Sequence, residues 1–329
     1  MTSASEVSLA GLAARYDLEV EGLTLLSDAA EGDGPVYAAA RPDGRAVILK
    51  VTRPMAPEAV ARLRQQTAFV QYLFDGGAPV AEPLPSDRGA LVESVDAEQG
   101  LVSAVLYARA PGRPPRVGDP RTADRALLRR WGAAMGRMHA LTRGYDGGTS
   151  ALPTWVEEHA GFGRWSGDDP PVQAAWMALR PAVAALPQSA DRYGLVHNDL
   201  HAHNLLVEDE RLTVIDFDVC AQHWFTAEIA TALFSVLWAA AAGEDAHVAE
   251  AARAFLGPFL EGYASEATLP PRWEEDLPLF LRYRERLLYI VFSHTWGGEP
   301  GPWQRDWLAR TRRRVLDDAP ALFDPRHSN

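Results

Sequence analysis

Two short polar segments hold most of the residues able to do chemistry. The first runs Leu195-Val196-His197-Asn198-Asp199-Leu200-His201-Ala202-His203-Asn204, and the second Val214-Ile215-Asp216-Phe217-Asp218. Between them, Leu205-Leu206-Val207 and Leu212-Thr213-Val214-Ile215 flank the polar turn Glu208-Asp209-Glu210-Arg211 and read as a hairpin. Asn204 precedes its first strand and Asp216 follows its second, so antiparallel pairing is expected to set them side by side. An amide oxygen and a carboxylate are hard donors that suit Mg²⁺, which takes few protein ligands and fills the rest with phosphate oxygens and water. Asp199, just upstream, is placed to take a proton from an attacking hydroxyl. Positioning, charge neutralisation and one base are what phosphoryl transfer requires. With 9 His, 23 Asp and three Asn in the chain, a His-x-Asp-x4-Asn match arises by chance about 0.006 times.

His197, Asp199, His201 and His203 also alternate as the ligands of a binuclear metal hydrolase would. Such a site needs further His or Asp clusters on other loops, and beyond the isolated His223 and His294 the sequence has none. His139, beside Met135 and Met138, reads as a packed core histidine, Asp218 as a turn cap in preference to a support for metal binding, and Trp296, Trp303 and Trp307 as packing rather than a cage for a quaternary ammonium.

The elements that must position these residues differ along the chain. Up to about residue 107 short strands surround one helix: Leu23–Ala29, Val36–Ala40, Ala46–Val51, Leu91–Val95 and Leu101–Tyr107, with Pro57–Phe74 helical by period. That helix would bury Val60, Leu63, Thr67, Val70 and Phe74. Pro111-Gly112-Arg113-Pro114-Pro115 is a linker. Beyond it, helical patterns cover Thr122–Leu141 and about 172–186, 224–242, 246–263, 274–294 and 303–316, and all ten tryptophans follow residue 130. This is an α+β chain of two lobes: a small β-rich nucleotide-binding lobe over residues 1–107, a hinge near 107–113, and a larger, mostly helical catalytic and substrate-binding lobe over 108–329.

At 329 residues, 47 % apolar and 23 % charged, the chain can bury a substantial core. One cysteine, Cys220, excludes an internal disulfide and a Cys-based zinc cluster. The start lacks a signal-peptide pattern, and the fourteen uncharged residues from Ile229 to Ala242 fall short of the roughly twenty that span a bilayer. A soluble cytoplasmic protein is expected, with no membrane partner. Residues 1–144 carry 17 acidic and 17 basic side chains, and residues 145–329 carry 27 and 15, so the whole −12 charge lies in the second part. Nucleic acid is thereby disfavoured as a partner, and a cationic acceptor would be steered favourably. The oligomeric state has no signature.

His197-Asn198-Asp199 to Asn204, followed by Ile215-Asp216-Phe217-Asp218, resembles the catalytic and metal segments of the aminoglycoside phosphotransferase and choline kinase family. That family has a protein-kinase-like fold and includes homoserine kinases of the second type and a bacterial stress-response protein kinase. The resemblance implies an ATP- and Mg²⁺-dependent phosphotransferase acting on a small-molecule hydroxyl of the aminoglycoside, amino alcohol or hydroxy amino acid class. Asp199 is the implied base, Asn204 and Asp216 the implied Mg²⁺ ligands, and His197 orients their loop. Lys50, in Val47-Ile48-Leu49-Lys50-Val51, matches the strand lysine that holds ATP phosphates. It is the chain's one lysine beside 31 arginines. Gly32 and Gly34 stand for a sparse nucleotide loop, and Leu106-Tyr107 for the adenine-side hinge. Gln66, or less directly Glu58, stands where a carboxylate usually pairs with that lysine, Asn198 where glycine is usual, and Glu228 where aspartate is usual. A Ser/Thr protein kinase and a nucleotide-binding scaffold without turnover are the alternatives these features leave.

Overall fold

The computed structural model describes residues 4–27, 34–117, 121, 123–240, 245–296 and 298–327. The chain opens with helix α1 (Ala4–Arg15), followed by strands β1 (Thr24–Ser27), β2 (Val36–Ala40) and β3 (Ala46–Val51), helix α2 (Pro57–Asp75), and strands β4 (Pro83–Leu84), β5 (Val92–Ala97) and β6 (Gly100–Ala108). Next come α3 (Arg125–Thr142), α4 (Trp155–Trp165), α5 (Pro170–Met177), α6 (Arg180–Ala184) and β7 (Tyr193–Val196). The hairpin β8 (Leu205–Glu208) and β9 (Arg211–Val214) leads to β10 (Ala221–Trp224), then α7 (Phe225–Ala240), α8 (Asp245–Glu266), α9 (Trp273–Thr295) and α10 (Pro302–Leu316). Among the described residues no helix is long and apolar enough to cross a membrane.

Two compact units result. One comprises residues 1–113 with 144–152 and 205–218, and the other 114–143, 153–204 and 219–329. The first unit carries an antiparallel sheet ordered β1-β2-β3-β6-β4, with β5 also paired to β6. Strand period two decides which way β3 faces. Val47, Leu49 and Val51 enter a core with Leu12, Tyr16, Ala104 and Leu106, so Ile48 and Lys50 lie on the opposite face. Lys50 is registered opposite Val36 on one side and Val105 on the other. Helix α1 supplies part of that core, so the unit has two helices where the pattern announced one. On α2 the buried face is Val60, Gln66, Thr67, Phe69, Val70 and Leu73, while Phe74 is exposed. The apolar stripe is rotated from the expected one because Phe69 and Leu73 fill the interior.

In the second unit, Asp124 caps α3 by accepting from the Ala126 amide, and a Thr154/Glu157 capping box starts α4. Helix α3 crosses α8 on glycines: a Cβ at Gly132 would lie 1.8 Å from the Phe259 carbonyl oxygen, and one at Gly262 would lie 1.9 Å from that of Arg129. β7 and β10 pair antiparallel, Val196 opposite Ala221, and deliver the chain into and out of the polar segments. Trp238 stacks on Trp307 with centroids 4.9 Å apart and on Trp303 at 6.1 Å, and Trp296 stacks on Phe292. These tryptophans pack on one another.

Candidate active site

In the first unit the candidate groups converge on Lys50. Its Nζ donates to Asp216 Oδ1 at 2.6 Å and to both oxygens of Asp218 at 2.8 and 2.9 Å. Burial opposes the lysine's charge, but the two carboxylates outweigh it and raise its pKa. Asp218 is pushed up to about 6, because burial and the like charge of Asp216 prevail over the pull of Lys50. Asp216 adopts φ +70°, a left-handed conformation that aspartate tolerates better than most residues. The expected role of Asp218 as a turn cap is therefore corrected: it is a principal partner of the lysine. Gln66 is buried on α2, and carboxylates for Lys50 come from the hairpin end instead.

Two cavities of about 370 Å³ each border Lys50, Tyr107 and Asp216. One has a polar wall that includes Gly34, Arg62, Gln66 and Asp218. The other is an apolar slot between Ile48, Val70, Ala81, Leu206, Ile215 and Phe217. Burial pushes the Tyr107 hydroxyl up to about 12, so it stays protonated. At Gly34 any side chain would meet Val51, whose carbonyl oxygen would lie 1.9 Å from a Cβ. Glycine is demanded there by the close approach of two backbones. Gly32 lies outside the described residues.

In the second unit the candidate groups surround Asp199. The loop between β7 and the 3-10 turn Ala202–Asn204 is pinned at Asn198, whose φ is +70°. The Asn198 amide donates to Glu228 Oε1 at 2.8 Å, and its side-chain nitrogen donates to Glu158 and, at 3.3 Å, to the Val219 carbonyl. Glu228, at the start of α7, also pairs with His139 Nε2 at 2.6 Å, and His139 Nδ1 meets the Tyr263 hydroxyl at 2.9 Å. Burial disfavours the Glu228 carboxylate, but these partners hold its pKa below the ordinary value. His197 is buried, and its Nδ1 accepts from the Asp199 amide at 3.3 Å.

Asp199 Oδ1 accepts from Arg284 on α9, and Oδ2 faces His201 Nε2 at 3.3 Å. His201 Nδ1 accepts from the His203 amide, which leaves the ring proton on Nε2, directed at Asp199. Burial raises the Asp199 pKa, but the Arg284 charge and the His201 hydrogen bond overcome it and hold the carboxyl well below the usual range. The Asn204 side-chain nitrogen donates to the Asp199 carbonyl at 2.9 Å, which spends the donor end of the amide and leaves its oxygen as acceptor. Asp199, His201, His203 and Arg284 border a cavity of about 700 Å³. Among the described residues no group of three or more His, Cys, Asp or Glu is arranged to hold a metal ion.

Arg284 and Glu158 had no signal in the sequence. Arg284 is one of 31 arginines, and Glu158 stands in a segment without a motif. Both act across long sequence separations.

One unit with a strand lysine held by a hairpin-end carboxylate pair, and a second, helical unit with a His-x-Asp loop, define a phosphotransferase of kinase-like fold. The sequence matches the phosphotransferase enzyme family over residues 26–288, and the chain belongs to it. It is 31 % identical over 326 residues to an amicoumacin kinase of Bacillus subtilis (strain 168), covering 97 % of this chain and 94 % of that one. Among solved structures, an amicoumacin kinase in complex with AMP-PNP, Ca²⁺ and Ami superposes with a TM-score of 0.82 at 29 % identity, covering 95 % of this chain and 93 % of that one. A microcompartment-associated aminopropanol kinase shares the fold, with a TM-score of 0.71, 20 % identity and coverage of 96 % and 99 %. The chain is a kinase.

Proposed function

We propose that the protein transfers the γ-phosphoryl group of ATP to a hydroxyl of a small molecule, in a Mg²⁺-dependent reaction. The hydroxyl oxygen bonds to the γ-phosphorus as the bond to the β–γ bridging oxygen breaks. That electron pair leaves with ADP, and the hydroxyl proton passes to Asp199. The observation that carries this reading is Asp199 itself, an ionised carboxylate on a cavity wall, oriented by Arg284 on Oδ1 and by His201 facing Oδ2.

The remaining roles follow from the chemistry of each side chain. Lys50 is a compact cation suited to phosphate oxygens. The apolar slot beside Tyr107 suits a purine face, and Gly34 allows close backbone approach. Asp216 and the Asn204 amide oxygen are hard donors and fit Mg²⁺, which neutralises charge on the phosphate oxygens. Relatives whose names include amicoumacin kinase and aminopropanol kinase, and a neighbour solved with AMP-PNP and Ca²⁺, support a nucleotide, a divalent cation and a small acceptor.

Transfer of label from γ-labelled ATP across aminoglycosides, amino alcohols, homoserine, sugars and proteins tests the reading. Asp199→Ala should abolish labelling of every acceptor while leaving the thermal transition in place. Undiminished labelling by that variant would sink the assignment.

A further inference from the structure

Asn198 directly precedes the reacting carboxylate in a left-handed backbone conformation, φ +70°, that glycine adopts without strain and other residues do not. Asparagine tolerates it better than most, and its side chain offers what glycine lacks, an amide able to tie the loop to its surroundings. The amide nitrogen is used twice, donating to Glu158 Oε2 and, at 3.3 Å, to the Val219 carbonyl. A carbonyl can only accept, which fixes the amide with its nitrogen toward both oxygens.

Glu158 is held as firmly as the loop it meets. It stands on α4, whose buried face is Trp155, His159 and Gly163. His159 Nε2 lies 3.2 Å from the Trp176 carbonyl, and the Trp176 indole N–H donates back to the His159 carbonyl at 2.9 Å. Tyr283 of α9 packs on Trp176 with centroids 4.7 Å apart and donates its hydroxyl to Glu158 Oε1 at 3.0 Å. One carboxylate oxygen is thus occupied by a packed phenol, and the other is left for Asn198. The Glu158 side chain is only 11 % exposed, so water competes little for either bond.

Resting on the phosphotransferase reading above, we infer that Glu158 is a positioning residue for the transfer: through the Asn198 side chain it fixes the loop that aims Asp199. The backbone of the loop has its own anchors, Glu228 for the Asn198 amide and Asn204 for the Asp199 carbonyl. Glu158 acts on the side chain of residue 198, so its effect disappears when that side chain does. A base misplaced by about 1 Å can cost about 100-fold in rate. Nucleotide binding is left alone, because neither Glu158 nor Asn198 lines the cavities at Lys50.

Transfer from γ-labelled ATP with Mg²⁺ to kanamycin, 1-amino-2-propanol, homoserine and water identifies the parent's fastest acceptor, which then serves for every variant. Glu158→Ala should lower kcat about 30-fold, with KM for ATP within about twofold of the parent. In Glu158→Gln the carbonyl can accept from Asn198 while the NH₂ donates to a Tyr283 hydroxyl turned to accept. That variant should recover most of the loss, to within about threefold of the parent. Asn198→Gly should fall about as far as Glu158→Ala, and the double variant no more than about twofold further. Glycine suits φ +70°, so this variant tests the inference even if the cavity left by Glu158→Ala unfolds the chain. A residue that only stabilised the fold would lower the thermal transition, leave kcat of the folded enzyme intact, and show no dependence on Asn198. Parent-like kcat in Glu158→Ala or Asn198→Gly, a Glu158→Gln as slow as Glu158→Ala, or losses that multiply in the double variant would overturn the inference and leave the phosphotransferase reading standing. Transfer to none of these acceptors would overturn both.

Discussion

Lys50 sits between two carboxylates, and its geometry explains why arginine cannot stand in for it. One nitrogen reaches Asp216 and both oxygens of Asp218 within 2.9 Å. A guanidinium spreads its donors over a planar fork and cannot converge on that point. In a chain whose every other Lys or Arg position is arginine, a lysine here fits a place where the exchange is costly. Lys50→Arg should therefore lower kcat/KM for ATP by about 100-fold at unchanged formal charge. Steady-state kinetics at varied ATP, with the thermal transition as a control for folding, measures this. Parent-like ATP use would remove Lys50 from the phosphate site. Asp199→Asn is nearly isosteric and should cost transfer about 10² to 10⁴ by losing the base. It also exchanges an ion pair with Arg284 for a neutral contact, so its stability shows whether the pair matters to the fold.

At the level of elements, the closest approach in the helical unit is that of α3 to α8. With the Phe259 carbonyl 1.8 Å from a Cβ at Gly132, an alanine there must push two backbones apart. Gly132→Ala should destabilise the protein by about 2–4 kcal/mol, well above the usual gain from replacing a helical glycine. Urea titration reads this directly, and a neutral or stabilising alanine would mean that the helices can separate at little cost. Some of these elements were legible in the sequence and some were not. β2, β3 and the hairpin β8–β9 are short apolar runs closed by turn residues, and the observed strands follow them to within a residue. The strands β7 and β10 are only four residues each and pair across a gap that contains the whole β8–β9 hairpin, so nothing local announces them. Helices α1 and α4 were likewise unread, the first because its packing against the sheet is non-local. The same holds within the candidate site. Asp199, Asn204, Asp216 and Lys50 lie in dense motifs, whereas Arg284 belongs to an ordinary helix and gains its meaning only from where α9 runs. The Asp218 pairing was missed because a carboxylate after a strand is locally indistinguishable from a turn cap.

Across the whole molecule, the histidines of the helical unit tie stability to pH. His223 is buried against Trp224, Phe280 and Tyr283, with its Nδ1 accepting from the Trp224 amide at 3.0 Å. Burial pushes its pKa down to about 3, and the nearby charge of Glu228 offsets this only in part. His159, stacked on Trp176 at 4.5 Å, is also lowered by burial. Because the unfolded chain binds a proton on each near pH 6.5 and the folded chain does not, the stabilisation is complete above that pH and is lost as pH falls toward the folded value. Between pH 7 and 4, His223 alone should cost about 3 kcal/mol of stability. Asp218 acts in the opposite sense: its raised pKa favours the fold at low pH, an advantage lost as pH rises through about 6, and it offsets part of the slope. His223→Gln keeps an acceptor for the Trp224 amide and removes the titration. Urea midpoints collected from pH 7 down to 4 should therefore fall less steeply in that variant than in the parent. A parallel pair of curves would show that the buried histidine does not set the acid sensitivity over this range, in which the depressed carboxylates Asp169 and Glu228 stay ionised and keep their stabilisation.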